Sequence, residues 1–94
     1  NKMFYELKDL FIIIKNNEFP RDTYELRKQQ IYADYDLAVE ACELAKAYHD
    51  SQYPDVLYSY RVVDLQEVLD IAQEYIREDI KENYNMTEEE LNNN

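Results

Sequence analysis

The chain has 94 residues, a length that allows one domain with a single hydrophobic core. Its formal net charge is −11, from 21 acidic and 10 basic residues, and 46% of its residues are hydrophobic, so it is predicted to fold and to repel nucleic acids and anionic membranes. The complete lack of glycine excludes the phosphate-binding loops of the usual nucleotide-dependent enzymes, because those loops need backbone conformations that glycine supplies.

A reducing compartment is indicated by cysteine usage. Cys42 is the only cysteine, so no intrachain disulfide can form, and a cytoplasmic location is predicted. The run LFIIIK is too short to cross a bilayer, and the N-terminus lacks the pattern of a secretory signal, so no membrane association is expected.

The N-terminal third fits two structures. The β-branched run in residues 9–15 favours a strand, and TYELRKQQIYA is predicted to contain a second strand that ends near Ala33. The segment between them, NNEFPRD, is predicted to be a loop whose turns use Asn, Asp and Pro in place of glycine. A helical stripe is the alternative for this third, formed by Phe4, Leu7, Phe11 and Ile14.

The clearest predicted helix is DYDLAVEACELAKAYHD, which Asp34 or Asp36 can cap. Several residues of its apolar stripe are small, so this helix is predicted to pack closely on a sheet, with Cys42 buried. His49 lies near the end of this helix and is predicted to be a surface residue that interacts favourably with the helix dipole. The stripe consists of Leu37, Ala38, Ala41, Cys42, Ala45 and Tyr48.

The segment VLYSYRVVD alternates and predicts a third strand after the turn at Pro54. Tyr58 and Tyr60 lie on one face of this strand. We interpret them as sheet core, with a ligand pocket or a second contact surface as the alternative.

Asp64 and Glu67 resemble a capping box and predict the start of a helix over residues 64–82. The apolar face of this helix includes Val68, Leu69, Ala72, Tyr75 and Ile76. The opposite side carries Glu67, Asp70, Glu74 and Glu78. Like charges four residues apart destabilise a helix by roughly 0.2–0.5 kcal/mol per pair.

The outline predicts one α+β domain over residues 1–85 and a frayed, acidic and Asn-rich tail over residues 86–94. Its small antiparallel sheet has about three strands, and two main helices pack on one face. A mostly helical fold is the alternative.

No arrangement for catalysis is evident, and the chain is predicted not to be an enzyme. His49 is the only histidine and lies two helical turns beyond Cys42, too far for a direct pair. One cysteine and one histidine cannot complete a zinc site, and Asp34–Asp36 lacks the pattern of a calcium loop. No metal and no cofactor are therefore predicted.

Negative charge is concentrated at the C-terminal end. Residues 64–94 carry ten acidic and two basic residues, which supply −8 of the net charge of −11. Combined with tyrosine, an efficient interface residue, such a face suits a basic protein surface. The predicted partner-binding residues are Glu67, Asp70, Glu74, Glu78, Tyr75 and Tyr84. A plain solvated helix face is the alternative.

In size, charge and its Tyr-rich, Asn-rich, glycine-free composition, the chain resembles the small acidic proteins that bacteriophages use against host restriction, CRISPR or transcription machinery. This resemblance implies an inhibitor in the host cytoplasm that binds a nucleic-acid-binding protein and mimics DNA, without binding nucleic acid itself. The alternatives are a small-molecule-binding domain with a Tyr-lined pocket and a homodimeric adaptor that docks through a sheet edge.

Overall fold

The computed structural model describes residues 6–84 and confirms the α+β class. A single 3-10 turn at Leu7–Asp9 precedes two strands and four helices. These are β1 (Phe11–Lys15), α1 (Thr23–Arg27), α2 (Tyr35–Gln52), β2 (Tyr60–Asp64), α3 (Leu65–Ile71) and α4 (Glu74–Asn83). The predicted tail, residues 86–94, lies outside the described residues.

The sheet consists of β1 and β2, which pair antiparallel with Ile12 opposite Val63. The strand predicted for residues 9–15 is thus confirmed, as its β-branched composition favours. The strand ends at Lys15. Asn16 and Asn17 follow it, both with a φ of 57°, a left-handed conformation that asparagine tolerates better than most residues.

The second predicted strand, which was expected to end near Ala33, is reduced to one residue pair. Phe11 and Tyr32 exchange two backbone hydrogen bonds of 2.8 Å each, so the chain meets the second edge of β1 only there. The residues before Tyr32 form α1 instead, because Asp22 caps that helix by accepting a hydrogen bond from the Glu25 N–H at 2.7 Å. The sheet therefore has two strands rather than about three.

β2 begins at Tyr60, four residues later than the strand that alternation predicted from Val56. Its partner β1 has only five residues, and the last pairing, between Lys15 and Tyr60, is followed by one hydrogen bond from the Asn16 N–H to the Ser59 carbonyl at 2.7 Å. After Lys15 the chain turns away from β2. The residues that precede Ser59 therefore have no neighbouring strand to pair with.

The single helix predicted for residues 64–82 is two helices. Asp64 caps the first as predicted, since its carboxylate accepts from the Glu67 N–H at 2.7 Å. Ala72 and Gln73 are extended, with ψ of 153° and 161°, and this break separates α3 from α4.

One face of the sheet carries the main hydrophobic core. Ile12, Ile14 and Val63 lie on this face and pack with side chains from α1, α3 and α4. The residues that these helices contribute are Leu26, Leu65, Val68, Ile76 and Ile80. Their nearly complete burial makes this cluster the chief source of stability, at roughly 1.5–3 kcal/mol for each large side chain removed from water.

The opposite face is covered by α2. The Phe11 ring meets Tyr35 at 5.4 Å between centroids, and Tyr60 meets His49 at 6.0 Å. The helices therefore lie on both faces rather than on one, because alternation along β1 offers apolar side chains to both. The small residues of α2 face the sheet as predicted, but Leu37 and Tyr48 of the predicted stripe are exposed.

Within residues 6–84, none of the helices combines the length and the apolar character that a membrane crossing requires.

Candidate protein-binding surface

The exposed side of α4 carries three glutamates in one line, Glu74, Glu78 and Glu82, here called the acidic row. They are spaced four residues apart, so each lies about 6 Å along the helix axis from the next. The other side of the helix is buried through Ile76 and Ile80. The buried side fixes the orientation of the helix and leaves the acidic row facing solvent.

The predicted stripe of four acids is divided by the helix break. Glu74 and Glu78 belong to the acidic row, but Asp70 lies at the end of α3, where its carboxylate accepts a hydrogen bond from the Gln66 amide at 3.1 Å. Glu67 is paired with Arg61 at 3.0 Å, which offsets its charge. The four residues therefore do not form one continuous line of free charge.

Arg77 braces the junction between α3 and α4. Its guanidinium donates to the carbonyl oxygens of Leu69 and Asp70, at 3.1 Å and 3.2 Å. These carbonyls belong to the last turn of α3, where the helix itself offers no donor. The positive charge of Arg77 is thus held beside Asp70, which reduces the negative field at that end of the predicted stripe.

Tyr75 stands beside the acidic row. It is 51% exposed, and it lies three residues before Glu78, a spacing that makes the two side chains neighbours on a helix surface. Its hydroxyl donates to the Arg21 carbonyl at 2.5 Å, which fixes the ring against the segment before α1. The predicted pairing of tyrosine with acidic residues is therefore present at Tyr75.

Tyr84, the second predicted tyrosine of this surface, lies in the core. Only 8% of it is exposed, and it belongs to the main hydrophobic cluster. It follows Ile80 by four residues and so continues the buried side of α4. Burial raises the pKa of its phenol, and the nearby charge of Asp79 raises it further. In this position Tyr84 stabilises the fold and is not available as a contact.

An ion pair attaches α4 to α1. The Arg27 guanidinium donates to the buried carboxylate of Asp79 at 2.6 Å, and the Asn83 amide donates to the same oxygen at 3.0 Å. The hydrogen bond to Asp79 raises the pKa of Arg27, with the opposite charge as the second cause. This contact holds the acidic row in a fixed position relative to α1.

Tyr58 and Tyr60, the predicted pocket residues, both pack against His49. The centroid distances from His49 are 4.3 Å to Tyr58 and 6.0 Å to Tyr60, and Tyr53 lies at 5.4 Å. His49 is 6% exposed, so the surface position predicted for it is wrong. Its imidazole instead fills the space between the end of α2 and these rings.

The described part of the chain offers neither an activated thiol nor a metal-binding cluster. Cys42 is buried, and burial raises the pKa of its thiol, which lowers the fraction of reactive thiolate. Residues 6–84 hold no cluster of three or more His, Cys, Asp or Glu side chains that could bind a metal ion.

Glu82 was not among the predicted binding residues, although its spacing from Glu78 is the same i,i+4 step that links Glu74 to Glu78. A cleft between the sheet and α1, lined by Lys15, Arg21 and Lys28, was also missed. These bases lie at the end of β1, before α1 and just after α1, and no local sequence pattern indicates that the turn at Asn16 and Asn17 places them around one cleft.

Comparison with protein families, curated proteins and solved structures finds no match for this chain. What the chain binds is therefore inferred from the chemistry of its own residues.

Proposed function

We propose that this chain is a protein-binding inhibitor that presents the acidic row to a basic site on another protein. The observation that carries the proposal is the exposed alignment of Glu74, Glu78 and Glu82 on one helix whose other side is buried. Within residues 6–84, none of these three carboxylates has an ion-pair partner. Their charges are therefore available to a partner.

Electrostatic attraction gives such a surface both partner selection and rapid association. The net charge of −11 attracts basic proteins at long range, and it repels acidic ones. At short range, lysine and arginine side chains of the partner would form charge-assisted hydrogen bonds with the row. The alignment of like charges costs some helix stability, which binding of a basic partner would recover.

Tyr75 supplies the apolar part of the contact. Its ring is half exposed and already held by the hydrogen bond to Arg21, so little side-chain freedom is lost on binding. Tyrosine is enriched among the residues that dominate binding energy at interfaces. We therefore assign Tyr75 as the anchor and the acidic row as the electrostatic guide.

The narrower form of the proposal concerns the partner. A line of carboxylates on a helix resembles a short stretch of the phosphate row of nucleic acid, so the partner is proposed to be a nucleic-acid-binding protein. The composition of the chain further suggests a bacteriophage inhibitor directed at host defence or nucleic-acid processing. The acidic row is short, which suits the occlusion of one basic groove.

The proposal is tested by capturing partners from host lysate at about 50 mM and about 500 mM salt, because screening weakens exposed ionic contacts. The captured protein is identified and purified, and its Kd is measured for three forms of the chain. These are the wild type, the triple variant Glu74→Gln, Glu78→Gln, Glu82→Gln, and a control variant Asp36→Asn, Glu40→Gln, Glu43→Gln. The control removes the same charge from α2, where all three residues are exposed.

We expect the acidic-row variant to bind at least about tenfold more weakly, whereas the control keeps most of its affinity. The glutamine substitutions relieve repulsion on α4, so weaker binding would not reflect loss of the helix. If the partner binds equally well at both salt concentrations, or if both variants lose affinity equally, the acidic row is not the binding surface. Competition by duplex DNA for the same partner tests the narrower form.

A further inference from the structure

A cleft of about 670 Å³ opens between the sheet and the segment that leads into and out of α1. Its apolar lining comes from Ile13 on β1, Tyr60 on β2 and Phe19 in the loop. All three side chains are partly buried, and the Arg61 guanidinium lies 5.4 Å from the centroid of the Phe19 ring. Together they give the cleft an apolar floor. A floor of this kind suits a flat apolar or aromatic group.

The charges around this cleft contrast with the rest of the molecule. Lys15, Arg21 and Lys28 line it, which places three of the ten basic residues of a strongly acidic chain at one site. Two acids, Glu18 and Glu25, also line it. Glu25 is already engaged, because it accepts hydrogen bonds from the Arg21 backbone N–H at 2.7 Å and from the Arg21 guanidinium at 3.2 Å.

The same two contacts lower the pKa of Glu25, with the backbone hydrogen bond as the larger cause. Glu25 and Arg21 therefore stay paired as ions at neutral pH and largely cancel each other. Lys15, Lys28 and Glu18 remain, so the cleft has a small positive excess.

The two lysines are held by aromatic rings and not by carboxylates. Lys15 Nζ lies 4.5 Å from the centroid of the Tyr58 ring, and Lys28 Nζ lies 4.5 Å from that of Tyr24. A cation–π contact orients an ammonium group but leaves its N–H donors free, because the face of the ring has no lone pair to accept a hydrogen bond. Within residues 6–84 neither lysine has a carboxylate at ion-pair distance. Both keep N–H donors for an anion.

We propose that this cleft binds a small organic anion, in which a phosphate or carboxylate group is attached to an aromatic ring. The ring lies on Ile13, Phe19 and Tyr60, and the anionic group accepts hydrogen bonds from Lys15 and Lys28. This site is separate from the acidic row and has the opposite charge. It does not depend on the proposed protein partner.

The test uses defined probes and two-dimensional NMR of the backbone amides. Phenyl phosphate and benzoate each combine a ring with an anion, and together they distinguish the two anionic groups. Inorganic phosphate is the control without a ring, and benzylamine is the control with the opposite charge. The cleft variant is Lys15→Gln, Lys28→Gln. The control variant Lys8→Gln, Lys46→Gln removes the same charge from exposed lysines elsewhere.

We expect phenyl phosphate or benzoate to shift the amides of residues 13–29 and 60, and the cleft variant to bind about tenfold more weakly, as the loss of charge-assisted hydrogen bonds predicts. The control variant and the acidic-row variant should bind as the wild type does. Unchanged melting temperatures would show that both lysine variants fold. The proposal is overturned if neither aromatic anion binds, if benzylamine binds as well as they do, or if the control loses as much affinity.

Discussion

Asn16 and Asn17 make the turn that a chain without glycine needs after β1. Both have a φ of 57°, and the Glu18 N–H closes the turn by donating to the Lys15 carbonyl at 3.0 Å. Left-handed backbone costs most residues energy because the Cβ approaches the carbonyl oxygen, and asparagine tolerates it better than most. The direction of the chain toward the cleft depends on this turn.

Replacing either asparagine with valine is expected to lower the free energy of unfolding by about 1–2 kcal/mol, the usual cost of left-handed backbone for a residue with a bulky Cβ. Asn16→Gly and Asn17→Gly should stay near wild type, since glycine adopts a positive φ without strain. Urea unfolding followed by circular dichroism measures the difference. Valine variants as stable as the glycine variants would contradict the conformation of this turn.

His49 shows why single-residue environments are hard to predict from sequence. A polar residue near the end of a helix is usually solvated, and the interaction with the helix dipole supported that prediction. Its burial follows from the arrangement of other residues, since Tyr53, Tyr58 and Tyr60 approach it from the segment after α2 and from β2. No local pattern around His49 carries that information.

At the scale of elements, three aspartates define where helices begin. Asp22, Asp34 and Asp64 each accept a hydrogen bond from the backbone N–H three residues later. Such a cap satisfies one of the amide groups that the first turn leaves without a partner. The sequence indicated Asp64 and offered Asp34 or Asp36 for α2, and the structure identifies Asp34.

Asp34→Ala is expected to lower the free energy of unfolding by about 1 kcal/mol, the typical cost of removing an N-cap. Asp36→Ala is the matched control, because Asp36 lies in the first turn of α2 without serving as the cap. Asp34→Ser should recover most of the loss, since serine is also a good cap. Thermal and urea unfolding measure all three variants. Equal effects of the two alanine substitutions would mean that charge near the helix start matters more than the cap.

The break between α3 and α4 could not be predicted from local preference. Alanine is the best helix former, and glutamine is a good one, so nothing at Ala72 or Gln73 signals an end. The interruption is supported by tertiary contacts, in which Arg77 donates to two carbonyls of α3 while Ile76 and Ile80 enter the core. The helical face and its spacing were predictable, but the division of the acidic stripe was not.

The replacement of a predicted strand by α1 had a visible local cause. Asp22 and Glu25 have the spacing of a cap and its third helical residue, which competes with the weak alternation that favoured a strand. Leu26 lies on this short helix, and its side chain is buried in the main core. In this chain the capping signal predicts the structure of this segment correctly, and the weak alternation does not.

At the scale of the whole molecule, the two proposed surfaces meet through α1 and the residues before it. Arg21 lines the cleft, and its carbonyl accepts the hydrogen bond of Tyr75 beside the acidic row. Arg27 binds the buried Asp79 of α4. These two contacts fix the position of the acidic row relative to α1 and the residues before it.

The stability of the whole domain should also depend on alkaline pH through Tyr84. Burial raises the pKa of its phenol above the ordinary value of 10.0, because the charged phenolate is disfavoured in the core. The unfolded chain then releases this proton at a lower pH than the folded chain does. The contribution of Tyr84 to stability is complete below the unfolded pKa and is lost as the pH rises through the folded pKa.

Tyr84→Phe is expected to make the melting temperature fall less steeply as the pH rises above about 10, the ordinary pKa of tyrosine. Phenylalanine keeps most of the volume of the ring, so the core should remain packed at neutral pH. Tyr24→Phe is the control, because it removes one phenol from a ring that is 68% exposed rather than buried in the core. If the melting temperatures of Tyr84→Phe and the wild type fall equally with rising pH, the Tyr84 phenol does not limit the stability of the domain at alkaline pH.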